Sequence, residues 1–452
     1  MKEHVRRKIK FFANLALSNS VTHNALQAIP FWFASLVVGL LAVFYTKLFT
    51  HAEDLLHAAL RWRSWSLLII TPLSFCLAWL VVVMFAPQAR GSGIPQVMAA
   101  IDMAPTKNEN KVNLLLSLKV VVVKIISSLL MVLGGGAIGR EGPTIQIAGS
   151  AFHVIRRWVP ASWPKLSKQA FILTGAAAGL AAAFNTPLGG VVFAVEELAK
   201  IHIRFFRTAL FSAVIVSGLT AQALIGPYLY LGYPIVSNLG FRSFYSVAAI
   251  AVISGLAGAF TAKMILKVMA WKRNFTRVQQ LSFLVLAGLL VACIAIYVND
   301  NILGSGKDIM NTVLFSKTKH VNAETALLRM LGPIVCFNTG AAGGVFAPAL
   351  AAGAAIGSWA ASLFDLIGSQ ANIIILGGMV GFLTGVTRTP FTSAILVLEM
   401  TDRHSVIFQL LLAAMISNVV ALLIDRKSLY DRLKDDYMEE DKPAEPAKLP
   451  AG

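Results

Sequence analysis

The chain has 452 residues, is 57% hydrophobic and only 13% charged, and has a mean hydropathy of +0.71. That composition excludes a soluble enzyme, and apolar runs long enough to cross a bilayer recur along most of the length, so the sequence is that of a polytopic membrane protein. The formal net charge of +17 comes from basic residues clustered between those runs, a pattern of membrane orientation and anion attraction rather than of nucleic-acid binding.

The N-terminal stretch 1–28 is basic, but its apolar part is broken by Asn14, Ser18, Asn19 and Ser20, so it predicts a cytoplasmic amphipathic segment and not a signal peptide. Two spans are expected at 29–49 and 65–85, separated by a charged piece at 51–63. Gly91-Ser92-Gly93-Ile94-Pro95 follows, then a polar loop at 102–111 and a span at 114–136. Gly139-Arg140-Glu141-Gly142-Pro143 precedes the apolar segment 144–158. A broken pair, 165–183 and 188–198, is interrupted at Asn185-Thr186-Pro187 and ends in Glu196-Glu197; 207–224 spans again. The Gly-, Pro- and Tyr-rich segment 226–242 reads as a joint. Beyond it the pattern restarts: spans at 243–269 and 281–298, a polar connection at 299–321 containing Gly304-Ser305-Gly306, and a segment at 323–337. Gly343-Gly344-Val345-Phe346-Ala347-Pro348 then opens an Ala/Gly-rich helix. A second broken pair, 372–386 and 391–400, is interrupted at Thr389-Pro390 and ends in Glu399. The last span is 406–424, and the charged tail, 433–452, is expected to be cytoplasmic and partly disordered. Cys76, Cys293 and Cys336 lie in apolar segments without metal-ligand spacing and read as core residues; no cofactor is implied.

Glu141 is the residue that asks most for an explanation. A carboxylate at membrane depth is costly and usually lines a pathway. Its glycines permit close backbone approach, and Pro143 suits the first position of a helix, so the segment reads as a broken backbone whose free N–H groups face an anion. A plain Gly/Pro turn with Arg140 and Glu141 paired is the alternative. Several apolar pieces are too short to span alone, and in lipid such breaks are tolerated only where backbone is buried in protein or lines an aqueous cavity.

The two halves repeat. Pro187 and Glu196 match Pro390 and Glu399 at an offset of 390 − 187 = 203, and Gly175 matches Gly378 at the same offset. The Glu141 motif matches Gly344–Pro348 at 348 − 143 = 205, and Gly91-Ser92-Gly93 matches Gly304-Ser305-Gly306 at 304 − 91 = 213. A duplicated unit with broken helices in corresponding positions points to a transporter with a midplane site, though the sequence pattern does not show whether the halves are inverted.

These motifs, in this order, resemble the CLC family of chloride channels and proton-coupled chloride transporters over roughly 29–432: GSGIP at 91–95, GREGP at 139–143, GAAAGLAAAFNTPLGG at 175–190 with Glu196-Glu197, GGVFAP at 343–348, TRTPFTSAILVLEMTD at 387–402, and Tyr430. The resemblance implies an all-α polytopic membrane protein of two inverted repeats, halves 29–225 and 243–432, with broken and re-entrant helices. It implies a homodimer among lipid in the bacterial inner membrane, with both termini cytoplasmic and an anion pathway in each subunit. It further implies that the hydroxyls of Ser92 and Tyr430 and the backbone N–H groups of Val345 and Phe346 bind a central chloride, with an outer site near Gly142. Glu141 would be the gating glutamate, and Glu141 and Glu197 would transfer protons. A serine at position 92 goes with chloride rather than nitrate, and a fluoride exporter fits less well. The chain ends before the paired nucleotide-binding domains of the family's large members, as expected of a compact prokaryotic form.

One departure stands out. Where some bacterial transporters carry acidic residues after GSGIP, this chain has Gln96-Val97-Met98, which leaves Lys124, inside an apolar span, without an evident partner. Two other readings stand beside a chloride/proton antiporter: a passive chloride channel with Glu141 as gate only, and an intramembrane hydrolase using Ser92 or Ser150 with His153, which has no carboxylate to orient its histidine.

Overall fold

The structure, a computed structural model, describes residues 20–106, 109–160, 163, 167–198, 207–226, 229–237, 239–317 and 319–439. Most of the expected amphipathic segment, 1–19, and residues 440–452 of the tail lie outside the described residues. The first half contains α1 (Ser20–Trp62), α2 (Leu67–Phe85), α3 (Ile94–Met103), α4 (Leu118–Leu133), α5 (Glu141–Ile155), α6 (Lys168–Phe184), α7 (Pro187–Phe193) and α8 (Arg207–Ile225). The second contains α9 (Arg242–Lys272), α10 (Arg277–Tyr297), α11 (Lys307–Phe315), α12 (Ala323–Phe337), α13 (Phe346–Ser362), α14 (Gly368–Thr387), α15 (Pro390–Thr401) and α16 (Ile407–Leu422), followed by α17 (Leu429–Glu439).

Eight of the described helices are long and apolar enough to cross a membrane, so the protein is a multi-pass membrane protein. The apolar window of one of them, α14, is 94% buried, while those of the others are 33–56% buried. α14 is therefore enclosed by protein, and the others keep a face for lipid. The remaining apolar helices are short. A ten-residue helix such as α3 reaches only about 15 Å, half the hydrocarbon thickness, so its end lies inside the protein.

Three expectations need adjusting. The charged piece 51–63 does not separate two spans; it is the end of α1, which runs unbroken to Trp62. The polar connection 299–321 contains α11. The tail begins with a helix, α17.

The repeat is visible in backbone detail. Asn185 and Arg388, 203 residues apart, end α6 and α14 in the left-handed region with φ of 57° and 60°. Each is followed by a threonine N-cap and a proline opening α7 or α15. Gly91 and Gly93 have φ of 62° and 104°, and their counterparts Gly304 and Gly306 have 66° and 87°, values that favour glycine. Gly139 and Gly344, equivalent at an offset of 205, pair antiparallel: each N–H donates to the other's carbonyl, at 2.7 and 2.8 Å. Equivalent residues paired antiparallel are related by a local two-fold rotation, in keeping with inverted halves.

Candidate functional site

Three helix N-termini meet between the halves. α3 opens behind Gly93, α5 behind Arg140 and α13 behind Val345, and none of these N-cap residues supplies a side-chain acceptor. Some other helices do have one: Ser117 caps α4, Ser167 caps α6 and Thr276 caps α10, whereas α2, α9 and α12 also start without it. An uncapped start leaves N–H donors at the positive end of the helix dipole, which suits an anion. The loops before these helices are strapped together. Gly91 N–H donates to Ala341 O at 2.9 Å and Gly343 N–H donates to Gly91 O at 3.0 Å, beside the Gly139–Gly344 pair.

Glu141 is the first helical residue of α5, and Pro143, expected at that place, is the third. The buried carboxylate lies against the Ala347 N–H in the first turn of α13 and against its own N–H. It packs so closely on Gly139 that a Cβ there would stand 2.3 Å from Oε2. The carboxylate of one half therefore covers the helix start of the other, where an anion would be stabilised. Arg140 turns toward the Thr46 carbonyl, at 3.5 Å, and toward the ring of Tyr230.

Ser92 Oγ sits over Gly142, so that a Cβ on Gly142 would stand 2.2 Å from it. Tyr430, on α17, turns its hydroxyl toward Ser92. Neither buried hydroxyl meets a hydrogen-bond partner within the protein. Each such group costs about 1–3 kcal/mol when left unmet, so two of them near one another mark a place for a guest. Val345 and Phe346 stand at the N-cap and first position of α13. The Phe346 ring, 6.1 Å from Phe184 and 6.5 Å from Phe193, anchors that turn.

Glu197 lies on a π turn, Ala194–Leu198, and comes within electrostatic reach of Tyr430, as does Glu141. The neighbouring Glu196 points elsewhere. Its carboxylate accepts from Phe391 N–H at 3.1 Å, Thr392 N–H at 2.6 Å and the Thr392 hydroxyl at 2.7 Å. Its repeat counterpart Glu399 accepts from Leu188 N–H at 3.0 Å and Gly189 N–H at 2.8 Å. Each half thus caps the re-entrant helix of the other, a role foreshadowed in the sequence only by the equal offset of Glu196 and Glu399.

Lys124 finds its partners in the backbone. Fully buried, its ammonium donates to Gly91 O at 2.9 Å and Arg90 O at 3.4 Å, immediately before Ser92. Gln96 also donates to Arg90 O, at 2.6 Å. A cleft lined by Arg90, Ser92, Gln96, Leu433, Asp436 and Tyr437 opens beside them. α17 is held there by the Lys434–Asp102 ion pair at 3.1 Å and by an Arg432–Asp425 pair at 2.9 Å, whose carboxylate raises the guanidinium's pKa.

The hydrolase arrangement does not form. Ser150 Oγ makes no hydrogen bond, and His153 Nε2 faces Asn113 Oδ1 at 2.8 Å.

Comparison with known proteins agrees with this geometry. Residues 73–422 match the family model described as voltage gated chloride channel. The chain is 28% identical over 421 residues to the H(+)/Cl(-) exchange transporter ClcA of Citrobacter koseri, covering 88% of this chain and 85% of that protein. It is 27% identical over 420 residues to the ClcA of Yersinia pseudotuberculosis, covering 88% and 84%. Among solved structures, a slow cyanobacterial Cl-/H+ antiporter superposes with a TM-score of 0.79 at 22% identity, covering 92% of this chain and 99% of that one. A CLC-type fluoride/proton antiporter gives 0.76 at 19%, with the same coverages.

Proposed function

This chain belongs to the voltage-gated chloride channel family, and from that premise we propose that it exchanges chloride for protons across the membrane. The observation that carries the reading is the Glu141 carboxylate lying on the N-terminus of α13, with the unpartnered hydroxyls of Ser92 and Tyr430 beyond it. Ionised, Glu141 holds the helix start and blocks the pathway. Protonated, it loses its attraction for the N–H groups and gives way to chloride, which takes the N–H donors of Val345 and Phe346 and the two hydroxyls. The N–H groups near Gly142 serve an outer site. Neutral donors bind an anion without trapping it, so it can leave again. One carboxylate that competes with chloride and also carries a proton links the two movements. Glu197 relays that proton past Tyr430 to the other side.

The functional unit is a homodimer of chains whose halves, 29–225 and 243–432, join at 226–242. Glu196 and Glu399 are half-exposed beside the exposed Leu188, Val195 and Phe391. Carboxylates are costly to leave facing lipid, which supports a second copy as their cover. We assign the protein to the bacterial inner membrane, with both termini cytoplasmic, in keeping with its bacterial relatives. A passive channel is the second reading, favoured by Gln96, which holds the Arg90 carbonyl in the run where some transporters carry acids, and by Lys124, which donates to the Gly91 carbonyl in place of an acid.

The test is a pair of variants in liposomes. Glu141→Ala is expected to keep chloride flux and lose its coupling to protons, and Glu197→Gln to stop proton movement while chloride still passes. Coupling retained in Glu141→Ala would contradict the assignment.

A further inference from the structure

The second half carries a copy of the Ser92 loop. In both halves a Gly-Ser-Gly with left-handed glycines opens a short helix without a side-chain cap, α3 behind Gly93 and α11 behind Gly306. Both have a buried cation beneath the loop that donates to the carbonyl of the first glycine. Lys124 Nζ reaches Gly91 O at 2.9 Å, and Arg329 Nη1 reaches Gly304 O at 3.2 Å. Lys124 and Arg329 are themselves repeat counterparts, at an offset of 329 − 124 = 205 on α4 and α12.

The copies differ in what meets the serine. Ser92 Oγ has no partner. Ser305 Oγ donates to Glu53 Oε1 at 2.7 Å, and the Ser305 N–H approaches the same oxygen at 3.4 Å. Glu53 comes from the last third of α1. His57, Glu141, Lys307 and Arg329 lie within electrostatic reach of Glu53, and Arg140 and Asp308 within reach of Lys307. Arg329 Nε is buried without a partner beside Gly306.

We propose that the Ser305 loop is a second site for a small monovalent anion, and that the Glu53 carboxylate is its tethered occupant. It is the same substitution of carboxylate for anion that Glu141 makes at α13, but at the mouth on the Arg140 side of the pathway. Glu53 thereby limits anion capture at that mouth: it fills the donors and offsets the cationic charge of Arg140, Lys307 and Arg329. Removing its charge frees the site and raises the affinity of that mouth for chloride. A unit charge near a partly solvated mouth changes anion affinity by roughly threefold to tenfold.

This inference rests on reading Ser92 as an anion donor, and one experiment separates the two. Crystals of the unmodified protein and of Glu53→Ala are grown in bromide, and anomalous density is compared at the two serines. The expected result is bromide at Ser92 in both and at Ser305 only in Glu53→Ala. Bromide at Ser92 but not at Ser305 in Glu53→Ala overturns the second site, as does bromide at Ser305 in the unmodified protein. Bromide absent from Ser92 in both overturns the central site, while a Ser305 peak that depends on Glu53 would still carry the present proposal. The isosteric Glu53→Gln in liposomes gives an independent reading: half-saturation by chloride from that face should fall about fivefold. An unchanged half-saturation overturns the proposal.

Discussion

Lys124→Met isolates the contribution of a buried cation to anion binding. The ammonium is fully enclosed and donates only to the carbonyls of Gly91 and Arg90. Both carbonyls keep another donor when it is removed: Gly343 N–H holds Gly91 O at 3.0 Å, and Gln96 Nε2 holds Arg90 O at 2.6 Å. Methionine also relieves the desolvation of a buried charge, so the fold should tolerate the change, with stability altered by no more than about 1 kcal/mol. Anion affinity should not be spared. With the Nζ 2.9 Å from the Gly91 carbonyl, an anion on the adjacent Ser92 hydroxyl lies on the order of 8 Å away, worth about 2 kcal/mol at an effective dielectric of about 20. That corresponds to roughly thirtyfold weaker chloride binding. Isothermal titration of chloride into detergent-solubilised protein measures it directly. A folded Lys124→Met protein whose affinity stays within about twofold of the unmodified protein would refute the reasoning, because the nitrogen would then contribute no charge at the site.

Tyr430→Phe should raise stability without chloride by about 1 kcal/mol, because it removes a buried hydroxyl that meets no partner within the protein, and should weaken chloride binding by roughly threefold to tenfold, the loss of one neutral donor; calorimetry and thermal unfolding on the same preparation distinguish the two effects. Glu196→Gln and Glu399→Gln each remove a charged cap from a re-entrant helix of the opposite half, at a cost of about 1–2 kcal/mol. Thermal unfolding in detergent should show both variants destabilised, and equal stability in all three proteins would contradict the clasp.

The sequence made the broken helices legible because their causes are local. Pro187 and Pro390 fix a first helical turn, and the threonine before each proline and the left-handed residue before that recur at one offset. The site was legible where a residue type is costly in its surroundings, as with Glu141 in an apolar stretch. What stayed hidden depends on partners remote in sequence. The ligands of Lys124 are backbone carbonyls, which have no signature in side-chain chemistry. The charged end of α1 reads as a connection because Glu53 and His57 are polar, yet Glu53 bonds Ser305 and His57 pairs with Asp308 at 3.4 Å, 251 residues away (308 − 57 = 251). α11 is short and lies within the polar connection 299–321, whose composition predicts no helix. The signal that it is a helix was present, since Gly304-Ser305-Gly306 repeats a motif that opens α3 in the first half. Glu196 and Glu197 are adjacent, but the π turn sends them in different directions, one to a helix start and one toward Tyr430.

The most direct test of the whole account uses the unmodified protein in chloride-loaded liposomes. An outward chloride gradient is imposed with the voltage held near zero by a potassium ionophore, and the external pH is followed. The account predicts proton uptake driven by the chloride gradient, seen as external alkalinisation that stops when the gradient is removed. Chloride efflux with no change in pH would contradict it and leave a passive pathway in which Glu141 gates but carries no coupled proton.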